Sequence, residues 1–189
     1  MRILTLHRRE FEKVCRQLQK MVSESGYDYD ILVAIARGGV YVADEFDCRY
    51  KYSVKAQRKS TRRKKGIVGA MIKRLPQGIN KLLRYAEAIV LELRDSTCRV
   101  RPVEPEIGLE LRARLKDGRS HRILIVDDAV DSGASMQGVL TALRELSPES
   151  EIRTAAVTQT RSKPVVRPDY ALFRDRTLIR FPWAMDMAR

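Results

Sequence analysis

The chain is poor in the residues that carry most metal and nucleophilic chemistry. Its 189 residues include two histidines and three cysteines. His7 and His121 stand far apart, each beside an arginine, which favours surface or structural roles over catalysis. Cys15, Cys48 and Cys98 are odd in number, widely spaced and without a metal-ligand pattern. They read as reduced thiols, not as a disulfide framework or a zinc site. Long apolar runs are also missing. No stretch approaches the length of a membrane span, and the first residues form no apolar secretory segment, so a cytoplasmic location is expected. No internal repeat is visible. One further absence is local: between Arg49 and Arg84 there are 13 Lys/Arg and no Asp/Glu. Taking those 13 from 37 leaves 24 basic residues against 24 acidic ones, so the net charge of +13 resides wholly in that segment.

What is present suits one domain, residues 1–189, with a substantial core. Hydrophobic residues make up 44%, ordinary for a soluble globular protein. Residues 1–6 read as a short strand or lead-in. Phe11, Val14, Cys15, Leu18, Met21 and Val22 recur at helical spacing, and Gly26 ends that helix. Ile31-Leu32-Val33-Ala34-Ile35-Ala36 is a continuous apolar run, as expected of a central parallel strand. Arg37-Gly38-Gly39 follows it, then a short helix with Val40, Val42, Ala43 and Phe46. Paired glycines let a backbone approach an anion closely, and Arg37 adds charge. Tyr50, Tyr52, Val54 and Ala56 alternate with polar residues, predicting a half-exposed strand.

The organising stretch is Arg122-Ile123-Leu124-Ile125-Val126-Asp127-Asp128-Ala129-Val130-Asp131-Ser132-Gly133-Ala134-Ser135. It reads as a strand, an acidic turn and a small-residue loop. Met136, Val139, Leu140, Leu143 and Leu146 then mark a helix. Backbone N–H groups of such a loop and helix start bind phosphate at the carboxyl end of a strand. Adjacent carboxylates there can accept hydrogen bonds from a vicinal diol and help hold Mg²⁺. Phosphate, diol and metal together describe a sugar phosphate.

These residues resemble the PRPP-binding signature of the type I phosphoribosyltransferases. The resemblance implies an α/β fold, with a central, mostly parallel sheet flanked by helices and a small hood from the C-terminal tail at 159–189. It implies Mg²⁺ as cofactor and PRPP as donor. Asp127 and Asp128 would bind the ribose hydroxyls and metal, and Asp131, Ser132, Gly133, Ala134 and Ser135 would cradle the 5′-phosphate. Arg37, Gly38 and Gly39 resemble the family's pyrophosphate loop, where a non-proline cis peptide is common; it would fall at Ala36–Arg37.

The tail resembles the 6-oxopurine branch, through Lys163-Pro164, Asp169-Tyr170 and Phe181-Pro182-Trp183. By that resemblance Lys163 meets the purine 6-oxo group, Leu178 stacks on the base, and the Ile179 backbone meets its edge. Asp131 is then the proton acceptor and Arg37 the catalytic cation. Two departures stand out. Leu178 is not aromatic, and Ala184 occupies the position of a common acid, with Asp186 two residues on. Trp183 reads as a hood or interface anchor.

Other segments keep several readings. The run Arg58-Lys59-Ser60-Thr61-Arg62-Arg63-Lys64-Lys65-Gly66 matches the position of the family's mobile loop. It also fits a nucleic-acid or membrane-surface patch, or a solvated basic loop. Ile79, Leu82, Leu83, Ala86, Ile89, Val90 and Leu93 predict an amphipathic helix beyond a minimal family core, for packing on the sheet, a homo-oligomer surface or a membrane surface, the last disfavoured by Glu87 and Glu92. Residues 95–118 read as a strand on the alternation of Ile107, Leu109 and Leu111, although Leu111 and Leu115 also fit a helix. Residues 152–158 predict the next parallel strand. The expected activity is transfer of a phosphoribosyl group to a 6-oxopurine. The rivals are a nucleic-acid-binding regulator that senses PRPP or a nucleotide, a transferase with a non-purine acceptor, and a structural partner protein.

Overall fold

A computed structural model describes residues 2–56, 103–174 and 177–184. They belong to one compact unit, 1–57 with 102–189. The basic run, the helix expected at 79–93, Cys98 and Asp186 lie outside the described residues.

Five strands form a wholly parallel sheet. They are β2 (Ile31–Ala36), β3 (Tyr50–Lys55), β4 (Arg122–Val130), β5 (Glu151–Gln159) and β6 (Tyr170–Phe173), in the order β3-β2-β4-β5-β6. The helices among the described residues are α1 (Arg8–Glu24), α2 (Gly38–Asp44), α3 (Leu109–Leu115) and α4 (Ala134–Leu146). The α/β architecture expected from the sequence is therefore present.

Side-chain alternation along β2 and β4 divides the core. Leu32, Ala34, Leu124 and Val126 face one way, against Phe11, Leu18 and Val22 of α1 and Val42 of α2. Ile31, Val33, Ile123 and Ile125 face the other way, against Leu111 of α3 and Met136, Val139 and Leu143 of α4. Covering both faces is what a parallel sheet requires, and it explains why these strands read as unbroken apolar runs. Each of Ile123, Leu124, Ile125 and Val126 is fully buried, a contribution of roughly 1.5–3 kcal/mol per side chain. The site-bearing strand is thus firmly anchored in the core.

A second sheet pairs β1 (Arg2–Thr5) with β7 (Thr177–Arg180), again in parallel. The hood is therefore built from both ends of the chain. It is tied down by rings: Trp183 stacks on Tyr41 and Phe181 at 4.3 and 4.9 Å, and Phe11 meets its edge at 5.0 Å. Trp183 acts within this chain as the hood anchor. Tyr170 and Asp169 also have internal tasks. The Tyr170 hydroxyl meets Ser25 Oγ and Arg153 Nη1, and Asp169 Oδ2 accepts from the Thr154 amide and hydroxyl, both at 2.7 Å.

One expectation is corrected. The strand read into 95–118 is, where described, the helix α3 plus a single antiparallel bridge between Lys55 and Glu106. Leu109 is 85% exposed while Leu111 and Leu115 are buried. The burial therefore follows the i, i+4 pair and not the alternation. No helix among the described residues is long and apolar enough to cross a membrane.

Candidate active site

The site lies at the carboxyl ends of β2, β4 and β5. The acidic pair is not in a turn as expected: β4 continues through it to Val130, and Asp127 pairs with Ala156 of β5. The pair is consequently held by strand geometry. Each carboxylate accepts from the next amide, Asp127 Oδ1 from Asp128 N and Asp128 Oδ1 from Ala129 N, both at 2.9 Å.

The glycine loop lies directly on this pair. A Cβ added to Gly38 would stand 2.1 Å from the Asp128 carboxyl carbon, and one on Gly39 would stand 2.6 Å from the Val126 carbonyl oxygen. Only residues without a Cβ allow that approach. Two stretches about ninety residues apart in the chain thus form one surface. The Ala36–Arg37 peptide is cis, as the resemblance implied, and Arg37 is exposed.

The phosphate-type loop is closed by a different contact. Gly133 has φ +77°, and a Cβ there would lie 2.8 Å from the Val166 backbone. Val165 N donates to Ser132 O at 2.9 Å, so residues 164–166 clasp the loop from outside. Ser132 and Ala134 are buried, and α4 begins at Ala134 with its first amides directed into the loop. Ser135 Oγ donates to the Ala56 carbonyl at 3.3 Å, which joins the loop to the end of β3.

The electrostatics follow from this packing. Asp127 and Asp128 keep part of their surface in solvent, but protein atoms crowd the remainder. Burial is the main reason the Asp127 carboxyl is held well above the usual carboxylate range, and the neighbouring Asp128 charge adds to it. Burial also raises Asp128, less strongly. The pair holds a proton more readily than two free aspartates would.

Asp131 is different. It is 58% exposed, and its Oδ1 accepts from Arg161 Nε at 2.9 Å and Thr160 Oγ1 at 3.2 Å. Of the remaining expected residues, Lys163 is exposed on the loop after β5. Leu178 is 40% exposed on β7, whereas the Ile179 side chain is buried in the core. The structure therefore joins Arg37-Gly38-Gly39 to Asp127 and Asp128, and joins the loop after β5 to Asp131. It forms no hydrogen bond from Lys163 to any of these acids.

Four features escaped the sequence reading. Arg161 and the buried Gln159 lie in an ordinary-looking polar run. Ile3 is the register partner of Leu178 and is also exposed, at 54%, so two aliphatic side chains share that face of the hood. Gly138 lets the chain at Val103 cross α4, since its Cβ would lie 2.3 Å from Val103 O. A glycine inside a strongly periodic helix was the available signal for the last.

A family model described as phosphoribosyl transferase domain matches residues 4–189. Among curated protein sequences none matches the chain. Among solved structures, a Helicobacter pylori xanthine-guanine-hypoxanthine phosphoribosyltransferase is similar at 22% identity and TM-score 0.63, covering 98% of this chain and 96% of its own. A Pyrococcus horikoshii purine phosphoribosyltransferase is similar at 22% identity and TM-score 0.56, covering 97% and 94%. A Neisseria gonorrhoeae hypothetical protein with bound ppGpp is similar at 17% identity and TM-score 0.65, covering 98% and 92%. At these identities the likeness is one of fold.

Proposed function

The chain belongs to the phosphoribosyl transferase domain family, and from that premise we propose that it transfers the 5-phosphoribosyl group of PRPP to a ring nitrogen of a 6-oxopurine. The observation that carries this reading is the seating of the Gly38 backbone on the Asp128 carboxylate. It sets the Arg37-Gly38-Gly39 loop against the acidic pair, and β4 runs on from that pair to the loop at 131–135, which supports adjoining sites for pyrophosphate, ribose and 5′-phosphate.

In this reading the Asp131–Ser135 loop and the start of α4 hold the 5′-phosphate. Asp127 and Asp128 accept from the ribose hydroxyls. Arg37 and the amides of Gly38 and Gly39 bind pyrophosphate. The acceptor nitrogen attacks C1, the C1–O bond to pyrophosphate breaks with its electron pair leaving on oxygen, and C1 inverts. Asp131 takes the acceptor's ring proton. Catalysis is mainly positioning and stabilisation of the departing charge. Lys163 would meet the 6-oxo group, Leu178 the face of the base and the Ile179 backbone its edge.

The donor set suits Mg²⁺. Among the described residues no group of three or more Asp, Glu, His or Cys could hold a metal. A hard cation that takes one or two carboxylates and otherwise uses substrate oxygens and water fits Asp127 and Asp128. When bound, it would supply charge neutralisation for pyrophosphate.

The deciding experiment is PRPP-dependent pyrophosphate release across purines, pyrimidines and small aromatic acids or amines. Turnover with hypoxanthine, guanine or xanthine is expected. Turnover confined to another class would overturn the acceptor assignment.

A second reading has its own support. The similar Neisseria fold was solved with ppGpp, and all of the excess charge here sits between Arg49 and Arg84. Those features fit a regulator that binds nucleic acid and senses PRPP or a nucleotide. Salt-dependent binding of RNA or DNA, without base-dependent pyrophosphate release, is its signature.

A further inference from the structure

Asp131 is the acid proposed to take the acceptor's proton, yet it stands on an exposed loop, where a free carboxylate samples several rotamers. Here it does not stand alone. Arg161 Nε and Thr160 Oγ1 both bond Oδ1. Oδ2 takes no hydrogen bond among the described residues, which leaves it for an acceptor. The arginine is much less exposed than its partner, 17% against 58%. The more buried side chain therefore holds the more exposed one.

Arg161 is itself held from below. Gln159, 2% exposed at the end of β5, donates from Nε2 to the Arg161 carbonyl at 2.7 Å. Gln159 Oε1 accepts from Arg174 Nη1 at 3.3 Å, and Arg174 Nη2 donates to the Pro168 and Asp169 carbonyls, both at 3.0 Å. Asp169 is clasped to Thr154 of β5. Thr160 N donates to the Val130 carbonyl at 2.9 Å, which fixes the same loop to the end of β4. An almost fully buried amide side chain costs stability unless both its ends are bonded. Here both are, and one bond fixes the backbone that carries Arg161. The ion pair itself is exposed on its acidic side, so it adds little to folding. Its geometry has another use.

We propose that Arg161 is the positioning residue of the reaction: it fixes the Asp131 carboxylate through Oδ1 and so presents Oδ2 to the ring N–H of the acceptor. This rests on the transferase reading above. As the N–C1 bond forms and pyrophosphate departs, the ring proton passes to Oδ2, while Oδ1 keeps its two donors. The guanidinium meets the carboxylate on its Oδ1 side, and the effect under test is the one that runs through Asp131.

The test is a double-mutant cycle on pyrophosphate release, using whichever of hypoxanthine, guanine and xanthine the wild type turns over best. Arg161→Met should lower kcat roughly 10–100-fold, part of what a positioned base contributes. The Kd of Mg–PRPP by calorimetry should stay within about twofold, a check on folding as well. Arg161→Lys, which keeps the charge but not the Nε donor, should lose less than Arg161→Met. In an Asp131→Asn background, itself impaired, Arg161→Met should add less than about threefold, because interacting residues are non-additive. Full additivity, or unchanged kcat in Arg161→Met while Asp131→Asn is impaired, overturns the positioning role and leaves the base role standing. Unchanged kcat in Asp131→Asn overturns the base role and the positioning role with it. A wild type that turns over no purine removes the reaction on which both depend.

Discussion

The proposed donor and acceptor halves of the site are built from different materials. The donor half is made of backbone and half-buried acids: Gly38 and Gly39 press on β4, Gly133 turns the 131–135 loop, and Asp127 and Asp128 sit on the central strand. The acceptor half is made of side chains on the rim: Asp131 at 58% exposure, Lys163 exposed, Leu178 at 40%. Backbone sites tolerate few residue types, because a Cβ or a different carboxylate position destroys them. Rim sites tolerate many. On the proposed function, the comparison teaches that the donor side is constrained by backbone geometry, whereas acceptor preference would rest on contacts that single substitutions could redirect.

The comparison is broken most severely by Asp127→Ala together with Asp128→Ala. Loss of charge-assisted hydrogen bonds worth roughly 1.5–3 kcal/mol each should weaken Mg–PRPP binding by about a hundredfold or more. Calorimetry reads this directly, and retained binding would remove the family's donor assignment from these residues. Gly38→Ala comes next. Its Cβ would collide with the Asp128 carboxylate, so PRPP affinity should fall at least roughly tenfold, with about 1–3 kcal/mol of overpacking seen in denaturant melts. On the rim, Leu178→Ala should raise the acceptor KM by only about three- to tenfold, the cost of one aliphatic contact, and leave the Kd of PRPP unchanged. An equal loss at both substrates would erase the distinction between the halves.

The smallest effect has the opposite sign. Both acids have folded-state values raised above the unfolded carboxylate, so ionising them costs the folded state. That cost is absent below the ordinary carboxylate range and grows as pH rises through the raised values. Asp127→Asn keeps an oxygen for the Asp128 amide but removes a charge. The ligand-free variant should be more stable than wild type at neutral pH, by on the order of 1 kcal/mol, and the gain should vanish in acid. Thermal melts across pH check this; a neutral variant less stable than wild type contradicts it.

The donor half was legible in the sequence because its parts are local. Ile123 to Val126 had to be buried to account for four apolar residues in a row. The acids, loop and helix that follow are one continuous signal. The two glycines after Ile31–Ala36 were legible for the same reason, although nothing in the sequence told that Gly38 lies on Asp128. The acceptor half was less legible because it depends on tertiary placement. Arg161 sits two positions before Lys163 and looks like a neighbouring surface cation until β4 and β5 are paired. Ile3 reads as the start of the chain until it is paired with Leu178. The misread 95–118 segment had three apolar residues compatible with two periods, and exposure of Leu109 decided for the helix.

The most direct test of the donor site is a calorimetric titration of the wild-type chain with PRPP in excess Mg²⁺, without acceptor. The account predicts saturable binding at one site per chain. An absence of binding heat across several temperatures, from protein whose melt is cooperative and unmoved by Mg–PRPP, would contradict it.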